Sequence, residues 1–375
     1  MENQSQVRVF DVLAKAFAQE DVTTCFALLG DANMNWATRL AEHDCRMIYV
    51  RHEHCAVAAA MAYARKTRDV GVATVTCGPG VTQLMTALPA AVRARIPLVV
   101  FAGEAPLRAG WYNQGIDQAP FVTATGAAYH SLHLPERMPV AIRDAFLQAR
   151  REQRPVVIGI PFDLQNRPWD AGVKLPTPSH RLLPRPAPLA PHADDVADAA
   201  KRIAAAERIV VIAGQGAVNA DAGPACRALA AKVGGLLATS LPARGLFHDD
   251  PFCIGISGSY TTEVGHEYLA EADLVIAVGT LLAFHFGGGG QLWPNAEMLH
   301  VDVDPLAVSQ GQEVANHHLR ADARLGVEAL AAALPERPSA WRSEAIAERI
   351  RTSKPDTFEF DIEPGALDPR DVVEV

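Results

Sequence analysis

Short apolar runs alternate with amphipathic stretches over the first 163 residues of the chain. The runs are apolar at nearly every position, which is typical of strands buried on both faces of a parallel sheet, and the stretches between them repeat their apolar residues with helical spacing. Strands separated by helices of this length predict a doubly wound α/β domain. Strands are predicted at 23–28, 46–50, 71–76, 97–102 and 155–160, and helices at 7–19, 34–42, 53–66, 81–94 and 139–150.

A proline-rich segment interrupts this alternation. Eight prolines fall between Pro161 and Pro191, a density that cannot continue a helix or a central strand. We therefore expect residues 1–163 to form the first domain and residues 164–191 to form an extended linker to a second one.

The same alternation returns after the linker. Residues 192–335 are predicted to form a second doubly wound, Rossmann-like parallel-sheet domain. Residues 336–375 are more polar, and Asp368-Pro369 in this tail is typical of a helix N-cap followed by proline at the first helical position. We expect the tail to lead into a further domain. The strands of the second domain are predicted at 208–213, 236–240, 272–278 and 298–303.

Composition limits the class of protein. The 375 residues are 49% hydrophobic and carry a net charge of −9 with scattered basic residues, which argues against a nucleic-acid partner and an anionic membrane surface. No apolar run approaches the ~18 residues of a membrane span, and the N-terminus lacks a signal-peptide pattern, so a cytoplasmic location is expected. The six cysteines form no Cys-x-x-Cys pair and are expected to be reduced core thiols.

Two polar signals follow neighbouring predicted strands. Glu53 lies just after strand 46–50, and the Gly78-Pro79-Gly80 sequence, hereafter the GPG turn, ends strand 71–76. Because α/β sheets bind ligands at the carboxyl ends of their strands, the carboxylate and the turn are predicted to lie side by side. Taken alone, Glu53 suits either a helix-capping acid stabilised by the helix dipole or a hydrogen-bond partner for a ligand. His52 and His54 do not share a helix face, so a zinc site is not predicted.

The order Arg51-His52-Glu53, Tyr63-Ala64-Arg65 and GPG turn resembles the pyrimidine-binding domain of thiamine diphosphate (ThDP) enzymes, the acetolactate synthase group in particular. In that family the matching Glu hydrogen-bonds the aminopyrimidine ring of ThDP and promotes its reactive imino tautomer. The resemblance therefore implies that Glu53 is catalytic. It also implies three residues that line the pyrimidine ring, namely Thr76, Pro79 and Gln83.

Other segments of the first domain match the family less closely. Gly30-Asp31 matches a loop that reaches the reacting end of the cofactor across a subunit boundary, although an ordinary turn with Asp31 or Asn33 as helix N-cap is equally consistent with the residues. Gln114 lies where acetolactate synthases have a Gln that points at the active centre, and it is the second catalytic candidate. Tyr129 replaces the Lys of that group's Lys-His-Ser segment, which leaves the substrate open.

The second domain carries a glycine turn, Gly214-Gln215-Gly216, after a predicted strand. The full dinucleotide fingerprint would need glycine at Asn219, so an NAD oxidoreductase is not favoured. Acetolactate synthases carry a similar turn against FAD, which makes FAD a candidate cofactor. An empty, merely structural middle domain is the alternative. The matching FAD contacts would come from Arg154, Gly214, Gly216, Gly279 and Asp302.

The family also needs a part that this sequence does not show. ThDP enzymes hold the diphosphate and Mg²⁺ through a Gly-Asp-Gly motif followed by an Asn pair, and neither occurs among the 375 residues, so no metal ligand is predicted here. The resemblance implies part of a ThDP-dependent 2-oxo acid decarboxylase or carboligase, inactive alone. A diphosphate-binding subunit or domain in a homo- or hetero-oligomer would complete it. The alternative is a non-catalytic nucleotide-binding or regulatory subunit with a vestigial site.

Overall fold

The computed structural model describes residues 6–169, 175–183, 187–309, 312–354 and 356–373. The chain divides into two compact units, Met1–Arg185 and Pro186–Val375. The division falls inside the proline-rich segment.

The first unit contains a six-stranded parallel sheet with helices on both faces. Its strand order is 2-1-3-4-6-5. The strands are β1 (Thr24–Ala27), β2 (Arg46–Tyr49), β3 (Gly71–Val75), β4 (Leu98–Glu104), β5 (Ala128–Ser131) and β6 (Pro155–Pro161). The helices are α1 (Val9–Gln19), α2 (Met34–Ala41), α3 (Glu53–Thr67), α4 (Pro79–Thr82), α5 (Ala87–Arg93), α6 (Ala119–Ala124), α7 (Met138–Glu152), α8 (Phe162–Gln165) and α9 (Ser179–Leu182), with a 3-10 turn at Pro135–Arg137.

Both faces of this sheet are covered, as the continuously apolar strands predict. On one face the Trp36 and Phe101 rings stack with centroids 4.1 Å apart, and Phe17 packs edge-on against Trp36 at 4.9 Å. The opposite face is covered by small and branched side chains of α3 and α5, including Val57 and Leu88. Every residue of β3 and β6 is buried, which fixes the sheet firmly beneath the loops at its carboxyl edge.

The second unit repeats this architecture. Its six-stranded sheet is parallel, in the order 14-11-10-7-8-9. The strands are β7 (Ile209–Ala213), β8 (Leu236–Thr239), β9 (Cys253–Ile256), β10 (Leu274–Val278), β11 (Glu297–Asp302) and β14 (His317–Arg320), with a separate hairpin of β12 (Val308–Ser309) and β13 (Gln312–Glu313). The helices are α10 (Ala193–Ala205), α11 (Gln215–Asn219), α12 (Gly223–Val233), α13 (Glu263–Glu271), α14 (Phe284–Gly287), α15 (Ala323–Ala333), α16 (Glu344–Thr352) and α17 (Pro369–Val373), with 3-10 turns at Leu241–Ala243, Gly288–Gly290 and Ala340–Arg342.

The prediction of two doubly wound parallel-sheet domains is confirmed, but one predicted helix was wrong in its extent. The helix expected over 81–94 is two helices, α4 and α5, separated by a turn at 83–86. Pro89 lacks an N–H to bond the carbonyl of Met85, so it is accommodated only in the first turn of a helix that begins anew at Ala87.

In each sheet the winding reverses between two adjacent central strands, and in the first sheet it turns back once more near the edge, where β6 lies between β4 and β5. In the first sheet β1 and β3 are neighbours, and the chain winds outwards from this pair in opposite directions; in the second sheet β7 and β10 hold the same place. The crevice above the carboxyl ends of such a pair is where open α/β sheets bind ligands.

Candidate functional site

Glu53 begins α3, but it does not cap this helix. The N-cap is His52, whose Nδ1 accepts a hydrogen bond of 3.1 Å from the backbone N of His54. Within the described part of the chain, no residue donates a hydrogen bond to the half-buried Glu53 carboxylate. Because His52 performs the capping, the carboxylate is left available to a ligand.

The GPG turn lies beside this carboxylate. A β-carbon placed on Gly80 would be 3.7 Å from Glu53 Oε1 and 3.1 Å from Thr76 Cγ2. Gly78 has φ +63° and ψ −115°, and a β-carbon there would lie 2.0 Å from the carbonyl oxygen of Gln114. Only glycine permits both this backbone conformation and this approach. Pro79 occupies the first helical position of α4 and is exposed.

Gly30 and Thr76 meet at the reversal point between β1 and β3. A β-carbon on Gly30 would lie 2.7 Å from Thr76 Oγ1, so the loop after β1 passes directly over the end of β3. Thr76 is 7% exposed, and its hydroxyl makes no hydrogen bond of ordinary geometry among the described residues; the neighbouring Cys77 thiol interacts with it, but a thiol is a weak hydrogen-bond partner. A buried hydroxyl left unpaired costs about 1–3 kcal/mol, which a ligand with a polar edge would offset.

Asn33 secures this loop in a way that differs from the expected capping. It occupies the N-cap position of α2, yet it makes no side-chain capping bond. Its Oδ1 accepts from the backbone N of Gly30 at 2.8 Å, and its Nδ2 donates to Leu28 O and to Thr74 Oγ1. Asn33 is fully buried, so its polar atoms need hydrogen-bond partners. Three hydrogen bonds to the loop and strand stabilise it more than a single capping bond to a helix N–H would. Asp31 is exposed.

Gln114 lies on the other side of the GPG turn. Its Oε1 accepts from Cys77 Sγ at 3.4 Å, and its backbone packs against Gly78. Burial raises the pKa of the Cys77 thiol, which therefore stays protonated and serves as the donor.

Gln118 is a site residue that the sequence analysis missed. It is 4% exposed, and its Oε1 accepts a 2.6 Å hydrogen bond from the backbone N of Gly78. Nothing in the local sequence separates it from Gln114, because its partners are backbone atoms distant along the chain. Only the fold reveals that the side chain of Gln118, and not that of Gln114, accepts the hydrogen bond from the backbone N–H of Gly78 in the turn.

Two residues named from the sequence do not join this group. Gln83 is the C-cap residue that follows α4, and it is exposed. Arg154 precedes β6, at the amino edge of the sheet, whereas the other candidates lie at the carboxyl edge. Its guanidinium donates to Glu152 Oε2 at 2.5 Å and to Gly126 O at 3.2 Å.

The glycines of the second unit also meet at a reversal point. The backbone N of Gly214 donates to Val278 O at 2.8 Å, and that of Gly216 donates to Gly279 O at 2.9 Å. A β-carbon on Gly216 would lie 2.8 Å from Gly279 Cα, and Gly279 itself has φ +60°. Close packing of the turn on the end of β10 therefore accounts for all three glycines.

A buried histidine connects this turn to Asp302 at the end of β11. His300 Nδ1 accepts from the backbone N of Leu306 at 3.0 Å, so Nε2 carries the proton and donates to Thr280 O at 3.0 Å. Asp302 Oδ2 lies 3.7 Å from the same Nε2. The Thr280 hydroxyl, like that of Thr76, is buried without a described partner.

The remaining sequence signals take structural roles. Cys25, Cys45, Cys77 and Cys226 are buried free thiols, as expected, whereas Cys55 is exposed and Cys253 is half-buried. Among the described residues no group of three or more ionisable side chains has the arrangement of a metal site, and no helix is long and apolar enough to cross a membrane.

Comparison with known proteins identifies the family. Residues 7–121 match the N-terminal TPP-binding domain of thiamine pyrophosphate enzymes, and residues 196–330 match the central domain of the same enzymes. The chain belongs to the thiamine pyrophosphate enzyme family. Both matches fall within the two doubly wound units, so the resemblance drawn from Arg51 to Gly80 is confirmed.

Three curated members of the thiamine pyrophosphate enzyme family illustrate the similarity. A probable 2-ketoarginine decarboxylase of Pseudomonas aeruginosa is 33% identical over 94% of this chain and 64% of its own length. An acetolactate synthase large subunit of Parasynechococcus marenigrum is 30% identical over 96% of this chain and 60% of its own. A probable acetolactate synthase large subunit of Methanocaldococcus jannaschii is 29% identical over 80% and 52%. The chain thus spans between about half and two thirds of these relatives.

Proposed function

We propose that this chain forms the pyrimidine-binding side of the active site in a ThDP-dependent 2-oxo acid decarboxylase or carboligase of acetolactate synthase type. One observation carries the proposal: the Glu53 carboxylate, which has no hydrogen-bond partner among the described residues, lies beside the GPG turn at the carboxyl edge of the first sheet. The unpaired Thr76 hydroxyl and the glycines on either side of it fit the edge of an aromatic heterocycle.

Each residue then has a distinct role. Glu53 hydrogen-bonds a pyrimidine nitrogen and holds or yields a proton at that atom. Thr76 contributes its buried hydroxyl, and the GPG turn brings its backbone close to the ring. Gln114, anchored by Cys77, faces the reacting groups from the neighbouring loop. When bound, ThDP supplies the electron sink for decarboxylation of the 2-oxo acid.

The diphosphate and Mg²⁺ require groups beyond these residues. Mg²⁺ is usually held by one or two carboxylates together with phosphate oxygens and water. We propose that a diphosphate-binding domain carrying the Gly-Asp-Gly motif and the Asn pair supplies them, on this or another polypeptide, in a homo- or hetero-oligomer. Without that domain, the first unit contacts only the pyrimidine end of the cofactor.

The relatives differ in the compound for which they are named, which is 2-ketoarginine in one and acetolactate in others. Tyr129, standing where acetolactate synthases have Lys, is half-buried and donates to Glu104 Oε1, so this position offers no cation to a substrate carboxylate. We therefore propose a 2-oxo acid other than that of acetolactate synthases. Turnover measured with pyruvate and with 2-ketoarginine as alternative substrates tests this proposal.

The test of function is titration of ThDP and Mg²⁺ into the purified chain, alone and mixed with a polypeptide carrying the Gly-Asp-Gly motif. Binding in the mixture, with 2-oxo acid turnover lowered about a hundredfold or more by Glu53→Gln, is expected. Glu136→Gln, which removes the same charge from an exposed residue, should leave turnover unchanged. Lack of ThDP binding in every mixture would reject the proposal in favour of a regulatory subunit with a vestigial site.

A flavin in the second unit stays a prediction. The amides of Gly214 and Gly216 already donate to Val278 and Gly279, so they are not available to a pyrophosphate in this conformation. The buried, unpaired Thr280 hydroxyl is the polar group that remains free there. The visible spectrum of the purified chain after incubation with FAD tests this prediction, since a retained flavin band supports the site and its loss on gel filtration rejects it.

A further inference from the structure

Gln118 lies at the centre of a buried hydrogen-bond network behind the GPG turn. Its Oε1 accepts from Gly78 N at 2.6 Å. Its Nε2 donates to Gly103 O at 3.1 Å and to Tyr129 Oη at 2.9 Å. The acceptor and both N–H groups of the carboxamide are therefore used.

These partners permit only one orientation of the carboxamide. The Gly78 amide can only donate, and the Gly103 carbonyl can only accept. Exchanging the oxygen and nitrogen of Gln118 would place donor against donor at Gly78 and acceptor against acceptor at Gly103. Because Gln118 is 4% exposed, water cannot readily relieve either conflict.

Tyr129 extends the network to a carboxylate. Its hydroxyl donates to Glu104 Oε1 at 2.5 Å, and Ser131 Oγ donates to Glu104 Oε2 at 2.7 Å. Burial, and then the neighbouring Glu104 charge, raise the pKa of Tyr129. The hydroxyl is therefore held in its protonated form, in which it accepts from Gln118 and donates to Glu104.

The network ends at Gly78, the residue of the GPG turn whose backbone conformation most needs to be stabilised by its surroundings. Gly78 has a backbone conformation with φ +63° that L-residues rarely adopt, and its amide is the atom that Gln118 holds. Gln118 is also the N-cap residue of α6, the last position of the irregular segment 105–118 that carries Gln114. One side chain thus joins the turn, the end of β4 and this segment.

We propose that Gln118 is a positioning residue that fixes the GPG turn next to Glu53, and so sets the surface on which the aminopyrimidine ring lies. The identity of that ring rests on the proposed function. The fixing of the turn is a property of the chain alone, and it is measured without cofactor.

The test is Gln118→Glu, which keeps the acceptor for Gly78 but replaces both donors by an oxygen facing Gly103 O. Amide hydrogen exchange in peptides covering 76–84 and 105–118 of the cofactor-free chain is the main readout. We expect exchange about tenfold faster in both peptides, corresponding to the loss of a buried hydrogen-bond network. In a mixture that binds ThDP, its dissociation constant should rise about tenfold with smaller change in turnover at saturation.

Two further variants keep the result interpretable. Gln19→Glu makes the same chemical change at α1, where Nε2 donates to Pro176 O, and should leave exchange at 76–84 unchanged. Tyr129→Phe removes one partner of Gln118 but preserves its bonds to Gly78 and Gly103, so it should accelerate exchange less than Gln118→Glu and serves if that variant does not fold.

The outcomes separate this inference from the function. Unchanged exchange at 76–84 in both Gln118→Glu and Tyr129→Phe would overturn the inference even if ThDP binds. Equal acceleration in Gln19→Glu would also overturn it, because the effect would then be global. Faster exchange in a chain that binds no ThDP in any mixture would support the positioning role and reject only the proposed function.

Discussion

The Thr76 hydroxyl is the clearest sign, at the scale of single residues, that the first unit is built for a ligand. Unpaired buried polar atoms are rare in folded proteins, and this one lies between two glycines that approach it closely. Thr74, two positions earlier on the same strand, shows the usual arrangement: its hydroxyl donates to Phe101 O at 2.9 Å and accepts from Asn33 at 3.0 Å.

This contrast yields a prediction with opposite signs at the two threonines. Thr76→Val should stabilise the cofactor-free chain by about 1 kcal/mol, because it removes a desolvated hydroxyl that has no partner. Thr74→Val should destabilise it by about 1–3 kcal/mol, because Asn33 Nδ2 and Phe101 O each lose a partner. Urea unfolding measures both. A loss of stability in Thr76→Val equal to that in Thr74→Val would mean that the Thr76 hydroxyl is satisfied within the protein.

Elements could be predicted from the sequence where burial makes every position of a strand apolar. Central strands such as β3 and β10 were found for this reason. The edge strands β5 and β14 were not, because polar residues such as His130 and His318 stand at exposed positions, and the apolar edge strand β9 has only four residues, one of them Gly255. The same logic located the GPG turn, which directly follows the central strand β3. Glu53 follows β2, an edge strand whose residues are half-buried or exposed, so its position was found without that burial signal.

The parts of the site that were not predicted have partners far along the chain. Gln118 contacts Gly78 across 40 positions, and no periodicity or motif encodes that pairing. Asn33 was one of two candidates, with Asp31, for the N-cap of α2. It holds the N-cap position, but its side chain bonds three other partners instead of the helix. Local sequence therefore specifies where polar residues lie on an element, while the assembled sheet decides what they bind.

Helices α1 and α9 are joined by a buried carboxylate, which gives a prediction at the scale of elements. Glu20 is 3% exposed and accepts from Ser179 N at 2.8 Å and from Ser179 Oγ at 2.5 Å. Burial raises the pKa of Glu20 above its ordinary value of 4.5, and the hydrogen bonds from Ser179, then the charges of Arg150 and His180, only partly oppose this. The folded state thus binds the Glu20 proton more tightly than the unfolded state.

The sign of the pH dependence follows from that difference. The stability that protonated Glu20 contributes is fully present below pH 4.5, and it is lost as the pH rises through the higher folded pKa. The free energy of unfolding of the wild-type chain relative to Glu20→Gln should therefore fall as the pH rises from below 4.5 towards neutrality. Urea unfolding over this range measures it, with Glu136→Gln as the exposed control. A relative stability that rises with pH would show that the Ser179 bonds outweigh burial.

At the scale of the whole molecule, the two units use one architecture in two ways. Both sheets bring glycines together at the point where the winding reverses. Each unit leaves one buried threonine hydroxyl, that of Thr76 or Thr280, without a partner among the described residues. The first unit also leaves the Glu53 carboxylate without a described partner, whereas the second closes the amides of Gly214 and Gly216 onto the end of β10. Ligand chemistry therefore depends on which polar groups the packing leaves unsatisfied, and the shared fold does not decide it.

Each unit also holds a complete core, and from this we expect two unfolding transitions that respond to separate variants. Phe101 in the first unit and Phe247 in the second are both fully buried. Replacing either with Ala should cost about 3–5 kcal/mol, and for units of this size that lowers a melting temperature by about 10 °C. In differential scanning calorimetry, Phe101→Ala should shift one transition and Phe247→Ala the other. If either variant moves the entire profile, the two cores unfold as one cooperative unit, and the proline-rich segment does not mark a boundary between independently stable domains.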